Sequence, residues 1–153
     1  ARAPLPAQLP SGEGSLSLMA LTDDQRRFLQ AKHFAGLGTV NRAGSPHLTI
    51  MWYVLDGDEI LFNTKAGRAK HTNLERDPRV SLLVYEGGYE YLRIDGTVRA
   101  VTDQATAQAD IRRLALRYYE DEAKVERVMR ESFATQERVS YRLPTNRIYD
   151  YRD

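Results

Sequence analysis

Lys65, Arg68 and Lys70 fall within six residues of one another, in the stretch Leu61–Val84. An apolar strand ends at Phe62, a polar segment carries the three cations, and a short helix runs to about Arg76. Asp77-Pro78 stops that helix, and a second apolar strand begins at Arg79. Guanidinium and ammonium groups pair with phosphate oxygens, and the unpaired N–H groups of a first helical turn add partial positive charge. Strand, basic loop and helix start therefore describe an anion site. They equally describe a solvated basic turn, and the stretch alone leaves both readings open.

Other chemistries lack their residues. His33, His47 and His71 are far apart and do not have metal-ligand spacing. The sequence holds no Gly-x-Ser-x-Gly elbow, P-loop or Gly-x-Gly-x-x-Gly. Paired carboxylates such as Asp23-Asp24 and Asp121-Glu122 sit at helix starts, where capping accounts for them. No cysteine occurs, which excludes disulfides, thiolate catalysis and cysteine-ligated metal. No catalytic side chain is assigned. A phosphorylated cofactor that carries its own chemistry stays open, because the protein then supplies position and electrostatics.

The elements that must position these residues can be read in outline. With 153 residues, 42% hydrophobic and 28% charged, the sequence has the size and composition of one soluble domain. Lys plus Arg number 22 against 21 acids, so no global field favours nucleic acid or an acidic membrane. No apolar run approaches the roughly 18 residues of a membrane helix, no signal peptide is expected, and the lack of cysteine suits a cytoplasmic protein. Residues 1–20, rich in Pro, Gly and Ser, read as a flexible arm or linker ahead of a domain at 21–153. Thr22-Asp-Asp-Gln25 is a capping box that opens a helix to about Lys32. Strands are predicted at 34–40, 47–55, 59–63, 79–86, 89–101 and 139–143, with a closing segment at 148–151. Asp56-Gly57-Asp58 marks a tight hairpin. Helices follow Thr102 or Asp103 and again around Val125–Phe133. Short turns between strands argue for an antiparallel sheet or barrel over βαβ units. The expected class is mainly β with helices (α+β), a closed or nearly closed antiparallel barrel of about six strands.

Four segments in this order resemble the FMN-binding split-barrel superfamily, which includes pyridoxamine 5′-phosphate oxidase. They are Gly44-Ser-Pro-His-Leu-Thr-Ile-Met-Trp-Tyr, Phe62-Asn-Thr-Lys-Ala-Gly-Arg-Ala-Lys-His-Thr-Asn-Leu, Asp77-Pro-Arg-Val-Ser-Leu-Leu-Val, and Tyr89-Glu-Tyr to Asp95-Gly96. The resemblance covers residues 22–151. The run Gly67-Arg-Ala-Lys-x-x-Asn-Leu and the ending Leu143-Pro-x-x-Arg-Ile-Tyr look most like the actinobacterial flavin/deazaflavin oxidoreductases, small homodimers that use coenzyme F-420. True pyridoxamine phosphate oxidases carry a Trp and Arg substrate motif near the C-terminus, whereas here the one tryptophan is Trp52.

The resemblance implies a cofactor-binding set. Arg68 and Lys70 match residues that hold the cofactor phosphate, and Asn63, Thr64 and Lys65 match the strand end that follows the ribityl chain. Thr49, Ile50 and Met51 match the strand along the ring, with His47 beside them. Asn73 belongs to the same run, and Tyr89 and Tyr91 match positions that reach the cofactor from a second subunit. The implied activity is hydride transfer from reduced F-420 to an unsaturated small-molecule acceptor. An FMN-dependent oxidoreductase, or a non-catalytic carrier of a flavin, a deazaflavin or haem, is the alternative. A homodimer is implied, with no nucleic-acid or membrane partner.

Overall fold

A computed structural model of the chain describes residues 15–17 and 20–152. The arm expected at 1–20 lies outside the described residues, apart from Ala20 and the strand β1 (Ser15–Ser17). The fold is α+β, built on two antiparallel sheets. Six strands form the first: β1, β2 (Ala35–Val40), β3 (Pro46–Met51), β6 (Arg79–Gly87), β7 (Glu90–Thr97) and β10 (Ile148–Asp150), in the order β1-β10-β7-β6-β2-β3. Four form the second: β4 (Val54–Asp56), β5 (Glu59–Lys65), β8 (Arg99–Val101) and β9 (Arg138–Pro144), in the order β4-β5-β9-β8.

The strand count exceeds the six expected because two long strands each serve both sheets, the closing segment forms β10, and β1 pairs with it. The stretch 47–55 divides at Trp52-Tyr53, between β3 and β4. There the Tyr53 N–H donates to the Tyr118 hydroxyl at 3.2 Å instead of to a neighbouring strand. The stretch 89–101 divides at Val98, whose N–H donates to the Pro78 carbonyl at 3.0 Å. Apolar alternation runs through both corners, so the pattern does not mark the change of sheet. Close to the second corner, a Cβ on Gly96 would stand 3.0 Å from Leu143 Cδ1 of β9, so the two sheets approach closely there.

The core lies between the sheets. Leu37, Leu82, Val84, Leu92 and Ile94 face Ile60, Phe62, Tyr141 and Leu143, all fully or nearly fully buried. Each such side chain contributes about 1.5–3 kcal/mol by leaving water. Helix α1 (Asp23–Gln30) begins at the expected capping box. The Thr22 Oγ1 accepts from the Gln25 N–H at 3.1 Å, and the Gln25 Oε1 accepts from the Thr22 N–H at 3.1 Å. Helix α2 (Ala69–Arg76) joins β5 to β6. Helices α3 (Gln104–Tyr119) and α4 (Glu122–Glu131), followed by a 3-10 turn at Phe133–Thr135, lie between β8 and β9. Ile111 and Leu114 of α3 pack with Leu61, Trp52 and Phe133 in a second, smaller apolar cluster. Among the described residues, no helix is long and apolar enough to cross a membrane.

Candidate functional site

The end of β5, the start of α2, the start of β9 and the corner after β3 converge on one cleft of about 230 Å³. Its polar end is built from Asn63, Thr64, Lys65, Arg68, Lys70 and Arg138. Its apolar wall is Ile50, Met51 and Trp52 on one side and Ile111, Leu114 and Phe133 on the other.

Strand pairing makes the polar end. Lys65 of β5 is in register with Arg138 of β9. Arg138 is 6% exposed, and its side chain is held from two directions. Its Nε donates to Asn63 Oδ1 at 2.9 Å, and its Nη1 donates to Gln136 Oε1 at 2.6 Å. The guanidinium also lies 5.0 Å from the centre of the Phe133 ring. Gln104 clasps the Arg138 backbone, accepting from its N–H at 3.0 Å and donating to its carbonyl at 2.9 Å. The Asn63 amide is fully engaged as well, because its Nδ2 donates to Ser140 Oγ at 2.9 Å and to the Ala107 carbonyl at 3.0 Å. Asn63 therefore aims Arg138 and ties β5 to α3.

The turn before α2 presents the other cations. Ala66 N–H donates to the Glu137 carbonyl at 2.9 Å, and Gly67 takes a left-handed φ of 88° that a side chain would strain. Arg68 is the N-cap of α2 but makes no capping side-chain bond, and the first turn carries no acid. Its N–H groups are thus left to water or to a ligand.

Electrostatics mark this end as unbalanced. Among the described residues, none of Lys65, Arg68, Lys70 and Arg138 stands within 4.0 Å of a carboxylate oxygen. Burial, reinforced by the charges of Arg68 and Arg138, holds the Lys70 ammonium below its ordinary pKa. Burial, with Arg68 adding, pushes the Arg138 guanidinium down to about 10, which leaves it charged at neutral pH. Like charges gathered without counter-ions lower stability and are a recognised signature of a ligand site. A bound anion would relieve them. Among the described residues there is no cluster of three His, Asp or Glu able to hold a metal.

Of the residues singled out from sequence, Ile50, Met51, Asn63, Thr64, Lys65, Arg68 and Lys70 line this cleft. The other five stand elsewhere. His47 and Thr49 lie on β3 opposite Thr39 and Leu37, with His47 Nδ1 and Thr49 Oγ1 buried and unpartnered among the described residues. Asn73 is 5% exposed and turns towards β2, donating from Nδ2 to Thr39 Oγ1 and Asn41 Oδ1, both at 3.1 Å. Tyr91 is three strands across from β3 and stacks on Tyr151 at 4.3 Å. Tyr89 is exposed in the β6–β7 turn. Arg138, Gln136, Trp52, Ile111, Leu114 and Phe133 complete the site without having been singled out. Arg138 is a lone arginine at a strand start, and only the β5–β9 register brings it to Lys65.

The outer face of the six-stranded sheet adjoins the cleft. Leu48 and Ile50 are 74% and 71% exposed there. With Phe34, Leu83 and Tyr85 they border an apolar groove of about 550 Å³ floored by Gly36. Ile50 belongs to both the groove and the cleft.

A split pair of antiparallel sheets with a basic cleft at their junction defines a split-barrel protein of the flavin-binding kind. The chain belongs to the pyridoxamine 5′-phosphate oxidase family, whose model matches residues 21–149, and so to the FMN-binding split-barrel superfamily. Solved structures agree on the fold. A conserved hypothetical protein, Rv2991, from Mycobacterium tuberculosis is 28% identical, with a TM-score of 0.69 over 87% of each chain. An F-420 reductase is 23% identical, with a TM-score of 0.66 over 84% of this chain and 98% of its own. The haem storage protein HutZ from Vibrio cholerae is 18% identical, with a TM-score of 0.62 over 86% and 95%.

Proposed function

We propose that the protein is a cytoplasmic oxidoreductase that uses reduced coenzyme F-420 to reduce an unsaturated small molecule. The observation that carries this reading is the cleft itself: uncompensated Arg68, Lys70 and Arg138 at one end and an apolar wall at the other. A planar ring joined to a phosphate by a polar chain has that same polarity. When bound, the reduced deazaflavin supplies a hydride to one atom of the acceptor's double bond, and a proton completes the reduction.

The chain's own residues bind and orient. Arg68, Lys70 and Arg138 grip the phosphate, each charge-assisted bond contributing roughly 1.5–3 kcal/mol. Asn63 and Gln136 hold Arg138 in place. Ile50, Met51 and Trp52 offer the ring an apolar floor and exclude water. Fixed alignment of reactants accounts for much of the rate in such reactions, since effective molarities reach about 10⁵ M or more.

A single protomer's cleft of about 230 Å³ falls below the roughly 300–1,000 Å³ usual for cofactor sites. Its continuity at Ile50 with the exposed apolar sheet face supports a homodimer in which a second copy supplies the missing wall. FMN is the second reading. Three converging cations suit the dianion of its phosphate monoester as well as they suit the phosphate and carboxylates of F-420.

Titration with FMN and with F-420, read by quenching of Trp52, separates the two cofactors. A screen for oxidation of reduced F-420 by quinone, enone and tetrapyrrole acceptors then tests turnover. Binding without turnover across that panel would favour a carrier. Arg68→Ala and Lys70→Ala are each expected to weaken cofactor binding about 10-fold or more with the fold intact; unchanged affinity in both would overturn the phosphate assignment.

A further inference from the structure

We propose that His71 is a positioning residue of the anion site: its imidazole accepts the Gly67 N–H and so presets the Lys65–Arg68 turn. This rests on the phosphate reading of the cleft and adds to it the group that fixes the turn.

Gly67 N–H stands 2.9 Å from His71 Nδ1. A backbone amide can only donate, so Nδ1 is the ring's lone-pair nitrogen. Nε2 then carries the hydrogen, and it lies 2.6 Å from Glu75 Oε1, one helical turn on. The two contacts specify one neutral tautomer, held by a relay from Glu75 through His71 to the centre of the turn.

Little else holds that centre. Among the described residues, nothing beyond its chain neighbours lies within 4 Å of a Cβ position on Gly67, so packing does not fix it. Ala66 N–H is anchored to Glu137, but Arg68 N–H reaches the Lys65 carbonyl only at 3.3 Å. Without His71 the Gly67 N–H loses its hydrogen bond, and Arg68, directly after it, loses that constraint on its direction. A preset turn binds an anion more tightly because less order is lost on binding. His71 itself is well placed for the task, with a side chain 16% exposed at the base of α2.

Two replacements separate the ring nitrogens. Asparagine puts an amide oxygen where Nδ1 stands, and glutamine puts an amide where Nε2 stands. Kd for FMN and for F-420 is measured by Trp52 quenching in His71→Ala, His71→Gln and His71→Asn, with thermal unfolding as a check on folding. His71→Ala and His71→Gln are expected to bind about 3- to 10-fold more weakly, the range of one lost hydrogen bond. His71→Asn should stay within about 2-fold of the parent, since it keeps the acceptor. The ligand-free protein gives an independent readout: long-range ¹⁵N–¹H spectra should show Nδ1 unprotonated and Nε2 protonated. The opposite tautomer, or equal losses in all three variants, overturns the positioning role. Parental affinity in His71→Ala beside a 10-fold loss in Arg68→Ala overturns it alone and leaves the phosphate reading standing. Parental affinity in both Arg68→Ala and Lys70→Ala overturns the phosphate reading, and the role of His71 with it.

Discussion

Lys70 and Asn73 sit three positions apart on α2 and do opposite work. Lys70 points into a cleft where burial and two arginines work against its charge. A bound phosphate reverses that penalty, so binding raises the pKa of Lys70 and takes up protons at alkaline pH. The sign follows directly. As pH climbs towards 10.5, the parent loses the Lys70 charge before an ordinary lysine would, and its affinity falls. Lys70→Arg keeps its charge, so the ratio of parental to variant Kd should rise with pH; a flat ratio in titrations of FMN would refute this. Asn73, in contrast, spends its amide on Thr39 and Asn41. Asn73→Ala leaves buried partners unsatisfied and is expected to cost about 1–3 kcal/mol in urea unfolding. Cofactor affinity should change by less than about 2-fold, the opposite pattern to Lys70→Ala. Both residues belong to one recognisable run, and the run alone does not say which of them faces the cleft.

Strands and helices position the site through their ends. The β5 strand delivers Asn63, Thr64 and Lys65 one after another, while β9 delivers Arg138 alongside, held by Gln136 from just ahead of the strand. Two strands read as continuous are broken where they pass from one sheet to the other. That passage places Met51, the last residue of β3, and Trp52, just beyond it, at the cleft. The second corner depends on the absence of a side chain at Gly96. Gly96→Val would bring a Cβ to 3.0 Å from Cδ1 of the fully buried Leu143. The expected cost is about 1–3 kcal/mol, the usual range for overpacking. Chemical denaturation measures it, and a loss under 0.5 kcal/mol would show that the sheets can separate without strain. Helix α3 completes the wall with Ile111 and Leu114. Its apolar spacing announced a buried face but gave no sign of what that face would meet.

Among the described residues, one sheet face is left uncovered. Leu48 and Ile50 stand out from β3 beside Phe34, Leu83 and Tyr85, over a floor of Gly36. Exposed apolar patches of this kind mark association surfaces. If a second copy covers it, Leu48→Glu buries a charge against the partner and should shift sedimentation towards the monomer, with cofactor affinity falling alongside. A parent protein that sediments as a monomer at micromolar concentration would defeat the dimer proposal.

Local chemistry explains what was legible beforehand. The capping box at Thr22, the hairpin at Asp56-Gly57, the strand alternation and the basic run at Lys65–Lys70 are all short-range features, fixed by neighbours in sequence. They suffice for an antiparallel barrel with helices and for three of the four cations at the cleft's polar end. Arg138 with its holders Asn63 and Gln136, the aromatic and apolar wall from α3 and the 3-10 turn, and the turning of Asn73 away from the cleft were decided by tertiary structure. Each depends on strand register or on the packing of segments distant in sequence, and side-chain direction follows from those long-range pairings. The basic turn was written in the sequence; the buried arginine opposite it came only with the fold, because the β5–β9 register brings Arg138 to Lys65.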